Sequence, residues 1–206
     1  MVSNMAITDQ IRDIKQLNPL CQVLLNLALT EIKSYGINPL VVETYRTQER
    51  QEMLYSQGRT TVGNKVTWTL NSIHTQKNAV DVIPQRLING RLTAIWNSKD
   101  KETLKIIEVM TKYGFEAGAN WTSNADSPHF QLKGVSTSGT TYHAANTNKY
   151  ITLMIQKALN KKMNAGLTED GLWGAKTTAA INAFRKKNLW IVNGKLGAVA
   201  LKKLLS

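Results

Sequence analysis

The run Ala79-Val80-Asp81-Val82-Ile83 sets a carboxylate in the middle of an apolar, alternating segment. The alternation suits a strand with Val80 and Val82 on one face and Asp81 on the other. An ionised carboxylate in such a strand is expensive unless it is paired or coordinates a metal. The fold must therefore bring partners to Asp81 from elsewhere in the chain. His74, in Ser72-Ile73-His74, precedes it, and Asp126-Ser127-Pro128-His129 follows. The segment His129-Phe130-Gln131-Leu132 also alternates, with Phe130 and Leu132 expected in the core and His129 and Gln131 on the opposite face. Pro128 biases Ser127 towards an extended backbone, and a turn there returns Asp126 towards His129.

Two imidazoles and two carboxylates in this order have metal-hydrolase character. Catalytic zinc usually takes three protein ligands and keeps a fourth position for water, so His74, Asp81 and His129 suffice to hold it. Asp126 is then free to act as base. Taken singly, these residues have plainer roles. Asp126 before Ser-Pro suits a turn cap, Arg46 suits a salt bridge with Glu43 or Glu49, and His143 lies in a polar stretch and reads as a surface residue.

The motifs Thr44-Tyr45-Arg46-Thr47, Leu54-Tyr55-Ser56-Gln57-Gly58-Arg59-Thr60, Val66-Thr67, Ser72-Ile73-His74 with Ala79-Val80-Asp81, and Asp126-Ser127-Pro128-His129-Phe130 occur in that order. Together they resemble the M15 peptidases, a group of bacterial D,D-carboxypeptidases and of bacteriophage endolysins that are L-alanyl-D-glutamate peptidases. The Gln-Gly-Arg-Thr run and the Asp-x-Pro-His-Phe ending are closer to the endolysin branch. The resemblance implies a Zn2+ enzyme in which His74, Asp81 and His129 bind the metal, Asp126 is the catalytic base and Arg46 holds the substrate or its developing oxyanion. It implies cleavage of peptidoglycan, with a D-alanyl-D-alanine carboxypeptidase of the same superfamily as the alternative. Lys77 stands where the family pattern has Gly, which bears on the loop after His74 but removes no ligand. Trp121 falls where relatives carry a Gly-rich, Trp-containing loop, and equally suits a core aromatic.

At 206 residues and 42% hydrophobic, the chain has room for one medium domain and one small one. Pro19 to Tyr35 has helical spacing at Leu20, Val23, Leu24, Leu27 and Ala28, with Gly36 as its stop. Leu40-Val41-Val42 reads as a strand leading to Arg46. Thr47 to Gln57 reads as a helix with Thr47 as N-cap and Gly58 as stop. A helix from Asp100 to Tyr113 is expected to bury Leu104, Ile107 and Met110. Helices around short strands argue for an α+β fold, with a small antiparallel sheet and flanking helices.

Residues 1–135 are thus expected to form the catalytic domain and 136–148, rich in Ser, Thr, Gly and Asn, a linker. Residues 149–206 repeat themselves: Leu167 to Gly174 resembles Trp190 to Gly197, each with an Asp-Gly or Asn-Gly turn before a helical pattern. A preceding helix with Ile151, Ile155, Ala158 and Leu159 completes an expected three-helix unit. Gln156 to Asn160, Leu167 to Gly174 and Ala179 to Phe184 resemble the peptidoglycan-binding domain of many cell-wall hydrolases. Arg185 stands where relatives often have Gln.

Charge is unevenly shared. Residues 149–206 carry eleven Lys or Arg against two Asp or Glu, or +9 of the chain's net +12. A basic domain favours anionic polymers such as those of bacterial walls. Nucleic acid is the competing anion, as partner of a basic module whose metal is only structural. The small domain lacks an aromatic single-strand platform and any recognised DNA-reading motif, and three ligands suit an open zinc site rather than a closed one. The expected partner is therefore peptidoglycan, through both domains, for a monomer with no specific nucleic acid. The longest apolar stretch, Cys21 to Leu29, includes Gln22 and Asn26 and is too short to span a bilayer. The start of the chain shows no secretory signal pattern, and the single cysteine, Cys21, excludes an intramolecular disulfide. These features fit a protein held in the host cytoplasm that reaches the wall through a membrane lesion made by another protein.

Overall fold

A computed structural model describes residues 6–132, 141–145, 147 and 149–205. The chain divides into two compact units, one of residues 1–111 and 115–132, the other of residues 112–114 and 133–206. Of the segment expected to be a linker, residues 136–140, 146 and 148 lie outside the described residues.

In the first unit α1 (Pro19–Ser34) starts with Pro19 in its first turn and passes at its end into Gly36, whose φ of +76° favours glycine. It buries Leu20, Cys21, Leu24, Leu25, Ala28, Leu29 and Ile32, while Leu27 is turned outward. β1 (Asn38–Glu43) follows, then α2 (Gln48–Ser56), whose N-cap Thr47 accepts the Arg50 N–H through its side chain at 3.2 Å. β2 (Ala79–Ile88) and β3 (Arg91–Ala94) form a hairpin through Asn89 and Gly90, both left-handed. α3 (Lys101–Lys112), β4 (Phe115–Ala117) and β5 (His129–Leu132) complete the unit.

The five strands form one antiparallel sheet in the order β1-β2-β5-β4, with β3 paired to the far half of β2. On the two central strands Val80, Val82, Phe130 and Leu132 are buried as expected, but the opposite face is covered too, since Ala79, Ile83 and His129 are also buried. Asp81 lies on the other face, opposite Glu43 on β1 and His129 on β5. The carboxylate is thus central in the sheet, where two neighbouring strands can supply partners.

α3 corrects one expectation. Leu104 is 53% exposed, and the buried stripe is Thr103, Ile106, Val109 and Met110. The sequence holds two overlapping apolar stripes, and the core takes the one centred on Ile106.

In the second unit α4 (Lys149–Met163), α5 (Ala175–Lys187) and α6 (Ala198–Leu205) bury Ile151, Ile155, Leu159, Ile181, Phe184 and Leu204. Gly171 and Gly194, the equivalent glycines of the repeat, have φ of +75° and +68°. In each turn the preceding side chain accepts a backbone N–H two residues on, Asp170 from Leu172 at 2.8 Å and Asn193 from Lys195 at 3.1 Å. Gln156 and Asn160 brace the first turn. Gln156 accepts the Gly171 N–H at 2.8 Å and donates to Asp170 and the Leu172 carbonyl, and Asn160 exchanges hydrogen bonds with the Leu167 backbone. These motif residues therefore have a structural explanation of their own. Tyr142, in the segment expected to be a linker, is buried and exchanges two backbone hydrogen bonds with Leu196.

Candidate metal centre and active-site cleft

Hairpin and sheet geometry deliver Asp81 and His129, and a turn after Ser72 delivers His74. Ser72 accepts the His74 N–H at 3.3 Å, and the turn closes with the Lys77 N–H donating to the His74 carbonyl at 3.1 Å. Lys77 has a φ of +60°, the left-handed region that glycine occupies without strain. The Lys77 ammonium lies over the Tyr45 ring at 4.8 Å.

Three ligand atoms converge. His74 Nε2 is 3.1 Å from Asp81 Oδ1 and 3.2 Å from His129 Nδ1, and His129 Nδ1 is 3.3 Å from Asp81 Oδ1. A tetrahedral zinc with bonds of about 2.0–2.1 Å holds its ligand atoms about 3.3–3.4 Å apart. Spacing and donor set, two imidazole nitrogens and one carboxylate oxygen, therefore fit such an ion. The His74 ring is held by its Nδ1–H donating to the Thr44 carbonyl at 2.7 Å, which leaves the Nε2 lone pair for the metal.

Electrostatics agree with the geometry. Burial opposes ionisation of Asp81, but the charges and hydrogen bonds of the two imidazoles outweigh it and hold the carboxyl well below its usual range. Burial works against protonation of His129, while Asp81 and then Gln131 and Asp126 raise its pKa overall. Asp126 is shifted the other way. Partial desolvation, followed by the nearby Asp81 charge, raises its carboxyl above the ordinary value. This direction makes the carboxylate a better proton acceptor, as a general base requires.

The cluster lies on a cleft of about 700 Å³ that Arg46, Trp68, Trp121 and Asp126 also line. Asp126 is held by its own backbone, with its N–H donating to the Gly118 carbonyl at 3.0 Å and its carbonyl accepting the His129 N–H at 3.2 Å. Arg46 is anchored from behind. Its Nε and Nη2 donate to Glu43 at 3.1 and 2.5 Å, and its Nη1 donates to Gln51 at 2.8 Å. Nη2 also lies 4.0 Å from Asp81. The salt bridge with Glu43 and the place in the cleft are thus both present. A guanidinium has five N–H donors, so donors remain for a ligand.

Sequence reasoning named all five of these residues and offered Glu43 as a salt-bridge partner of Arg46, but missed their other supports. Glu43, 2% exposed, pairs with both Arg46 and Arg50. Gln51, fully buried, ties Arg46 to the loop through the Thr69 carbonyl at 2.6 Å. Gly118 is required by close packing, because a Cβ there would fall 2.5 Å from the Asp126 carbonyl oxygen and 3.2 Å from the His129 Cβ. A glycine beside the Trp121 loop was the one available signal. Trp121 packs on the His129 ring, with centroids 5.1 Å apart.

Among the described residues, no helix is long and apolar enough to cross a membrane. Residues 65–132 match the M15 peptidase family model described as D-alanyl-D-alanine carboxypeptidase. The chain is similar to the peptidoglycan L-alanyl-D-glutamate endopeptidase CwlK of Bacillus subtilis, at 31% identity over 106 residues, 47% of this chain and 62% of that protein. It is also similar to the L-alanyl-D-glutamate peptidase of a Listeria phage, at 29% identity over 128 residues, 56% of this chain and 42% of that protein. The chain thus spans less than two thirds of the length of either curated relative. The crystal structure of the Serratia marcescens L-Ala D-Glu endopeptidase ChiX aligns with a TM-score of 0.45 at 22% identity, covering 64% of this chain and 92% of that one.

Proposed function

We propose, from the match of residues 65–132 to the M15 peptidase family model, that this chain is a zinc-dependent peptidoglycan hydrolase, a bacteriophage endolysin that cleaves the L-alanyl-D-glutamate amide of the stem peptide. The observation that carries the reading is the convergence of His74 Nε2, Asp81 Oδ1 and His129 Nδ1 within 3.1–3.3 Å on a cleft that Asp126 and Arg46 share. The names of the two relatives support the choice of bond.

His74, Asp81 and His129 hold the ion. Bound there, zinc supplies a Lewis acid and makes water nucleophilic near neutral pH. Asp126 takes a proton from the attacking water and passes it to the departing amine, so that one water and one amide become a carboxylate and an amino terminus. Arg46 directs its remaining N–H groups at a substrate carboxylate or at the oxyanion that develops on the scissile carbonyl. Glu43 and Gln51 fix the plane of that guanidinium. The second unit, with most of the positive charge, serves as the wall anchor by attraction to anionic wall polymers.

The description of the family model favours a second reading, a D-alanyl-D-alanine carboxypeptidase. Mass spectrometry of purified peptidoglycan after digestion separates the two. New D-Glu amino termini support the endopeptidase, release of free D-Ala supports the carboxypeptidase, and unchanged muropeptides refute both.

A further inference from the structure

The two histidines present opposite ring nitrogens to the metal position, so their protons must be held on opposite atoms. For His74 a backbone carbonyl does this, since the Thr44 carbonyl can only accept. His129 must carry its proton on Nε2, and that atom meets a side-chain amide, Gln131 Oε1, at 3.1 Å. An amide alone cannot decide the matter, because one end accepts and the other donates, and a half-turn exchanges them.

The next partner along resolves the choice. Glu116 on β4 is the register partner of Gln131 on β5, and Gln131 Nε2 donates to Glu116 Oε2 at 3.3 Å. The other carboxylate oxygen, Oε1, accepts the Trp121 indole N–H at 3.2 Å. A carboxylate only accepts and an indole N–H only donates, so the polarity of the chain is set from this end. The Gln131 NH2 must face Glu116, its oxygen must face His129, and the imidazole proton must sit on Nε2. The lone pair on Nδ1 is then the one aimed at His74 and Asp81.

We propose that Glu116 is a positioning residue that acts through Gln131 to hold His129 in the Nε2–H tautomer, the form able to bind a metal through Nδ1. The inference rests on the metal-site reading above and adds residues that carry no ligand atom. Glu116→Gln keeps size and shape but lets the relay reverse. The new amide can accept from Trp121 and turn its NH2 to Gln131, which then flips and offers its own NH2 to His129 Nε2. The imidazole proton is thereby driven to Nδ1, into the place of the metal. Adding Gln131→Glu restores the original direction, because a carboxylate at position 131 accepts both from His129 Nε2–H and from the amide at position 116.

The test uses the full chain and zinc alone. Zinc affinity is measured by competition with a chromogenic chelator. The His129 tautomer is read from ring ¹⁵N shifts of metal-free protein above the histidine titration range, and thermal unfolding of the metal-free form reports the fold. E116Q should lower zinc affinity by about 10- to 100-fold and move His129 towards Nδ1–H. The double variant should recover both to within a few-fold of wild type, which no loss of packing at position 116 would allow. Wild-type affinity and tautomer in E116Q overturn the proposal, as does a double variant no better than the single one. A wild-type chain that binds no zinc sinks the metal-site reading instead, and the tautomer measurement still decides the relay.

Discussion

His74 and His129 face each other across 3.2 Å through unlike atoms, Nε2 of one and Nδ1 of the other. The difference follows from where each ring is rooted. His74 rises from a turn and is pinned by a carbonyl on its Nδ1 side, whereas His129 lies on a strand and is pinned from its Nε2 side. Asp81, on the strand between β1 and β5, closes the triangle.

Asp126 contributes no atom to the ligand cluster, so its role separates cleanly from metal binding. Asp126→Asn should lower muropeptide release by about 10²- to 10⁴-fold and leave zinc content unchanged. Elemental analysis beside the digestion assay checks this, and a loss of zinc in parallel with activity would make Asp126 a ligand instead.

Gly118→Ala places a methyl where the Asp126 carbonyl and the His129 Cβ now pack. The loop must move, at a cost of about 1–3 kcal/mol in urea denaturation, and activity should fall more than stability alone explains. An alanine variant with wild-type turnover would show that the Asp126 loop tolerates displacement.

How much of this could be read in advance depended on the range of the signal. The strands of Asp81 and His129 announced themselves by alternation, because Val80, Val82, Phe130 and Leu132 are buried while Asp81 and Gln131, between them, are only partly so. Thr47 and the repeated Gly171 and Gly194 turns were legible from local backbone chemistry. Glu116 was not, since β4 is only three residues long, Phe115–Ala117, and its partner Gln131 is set by a strand register that no local pattern encodes. Glu43 was legible as a partner of Arg46, three residues on, but its second pairing with Arg50 was not, and Gln51 stayed hidden because its value lies in Arg46 and the Thr69 carbonyl. Leu104 misled because hydrophobic spacing gives a stripe but does not say which of two stripes the core selects.

Glu43→Ala should be the most destabilising of the single changes. It leaves two largely buried guanidiniums, Arg46 and Arg50, without their shared carboxylate. A loss of about 3–5 kcal/mol is expected by chemical denaturation, and a loss under about 1 kcal/mol would show that solvent already screens the pair.

Asp170 ties stability of the second unit to acid. The Leu172 N–H, followed by the Gln156 amide, holds its carboxyl below the ordinary value. With the folded pKa lower than the unfolded one, the contribution is complete above the ordinary carboxylate pKa of about 4 and fades as pH falls below it through the folded value. The stability difference between wild type and Asp170→Asn, followed by circular dichroism, should shrink below about pH 4. A difference that stays constant through that range would remove Asp170 from the acid response.

The most direct measurement is a zinc titration of chelator-stripped protein, with release of D-Glu amino termini from purified peptidoglycan as the readout. The account predicts that stripped protein is inactive, that activity returns in proportion to zinc and saturates at about one ion per chain, the number a three-ligand site holds, and that His129→Ala does not respond. Full activity in the stripped protein, or equal recovery in the His129 variant, would contradict it.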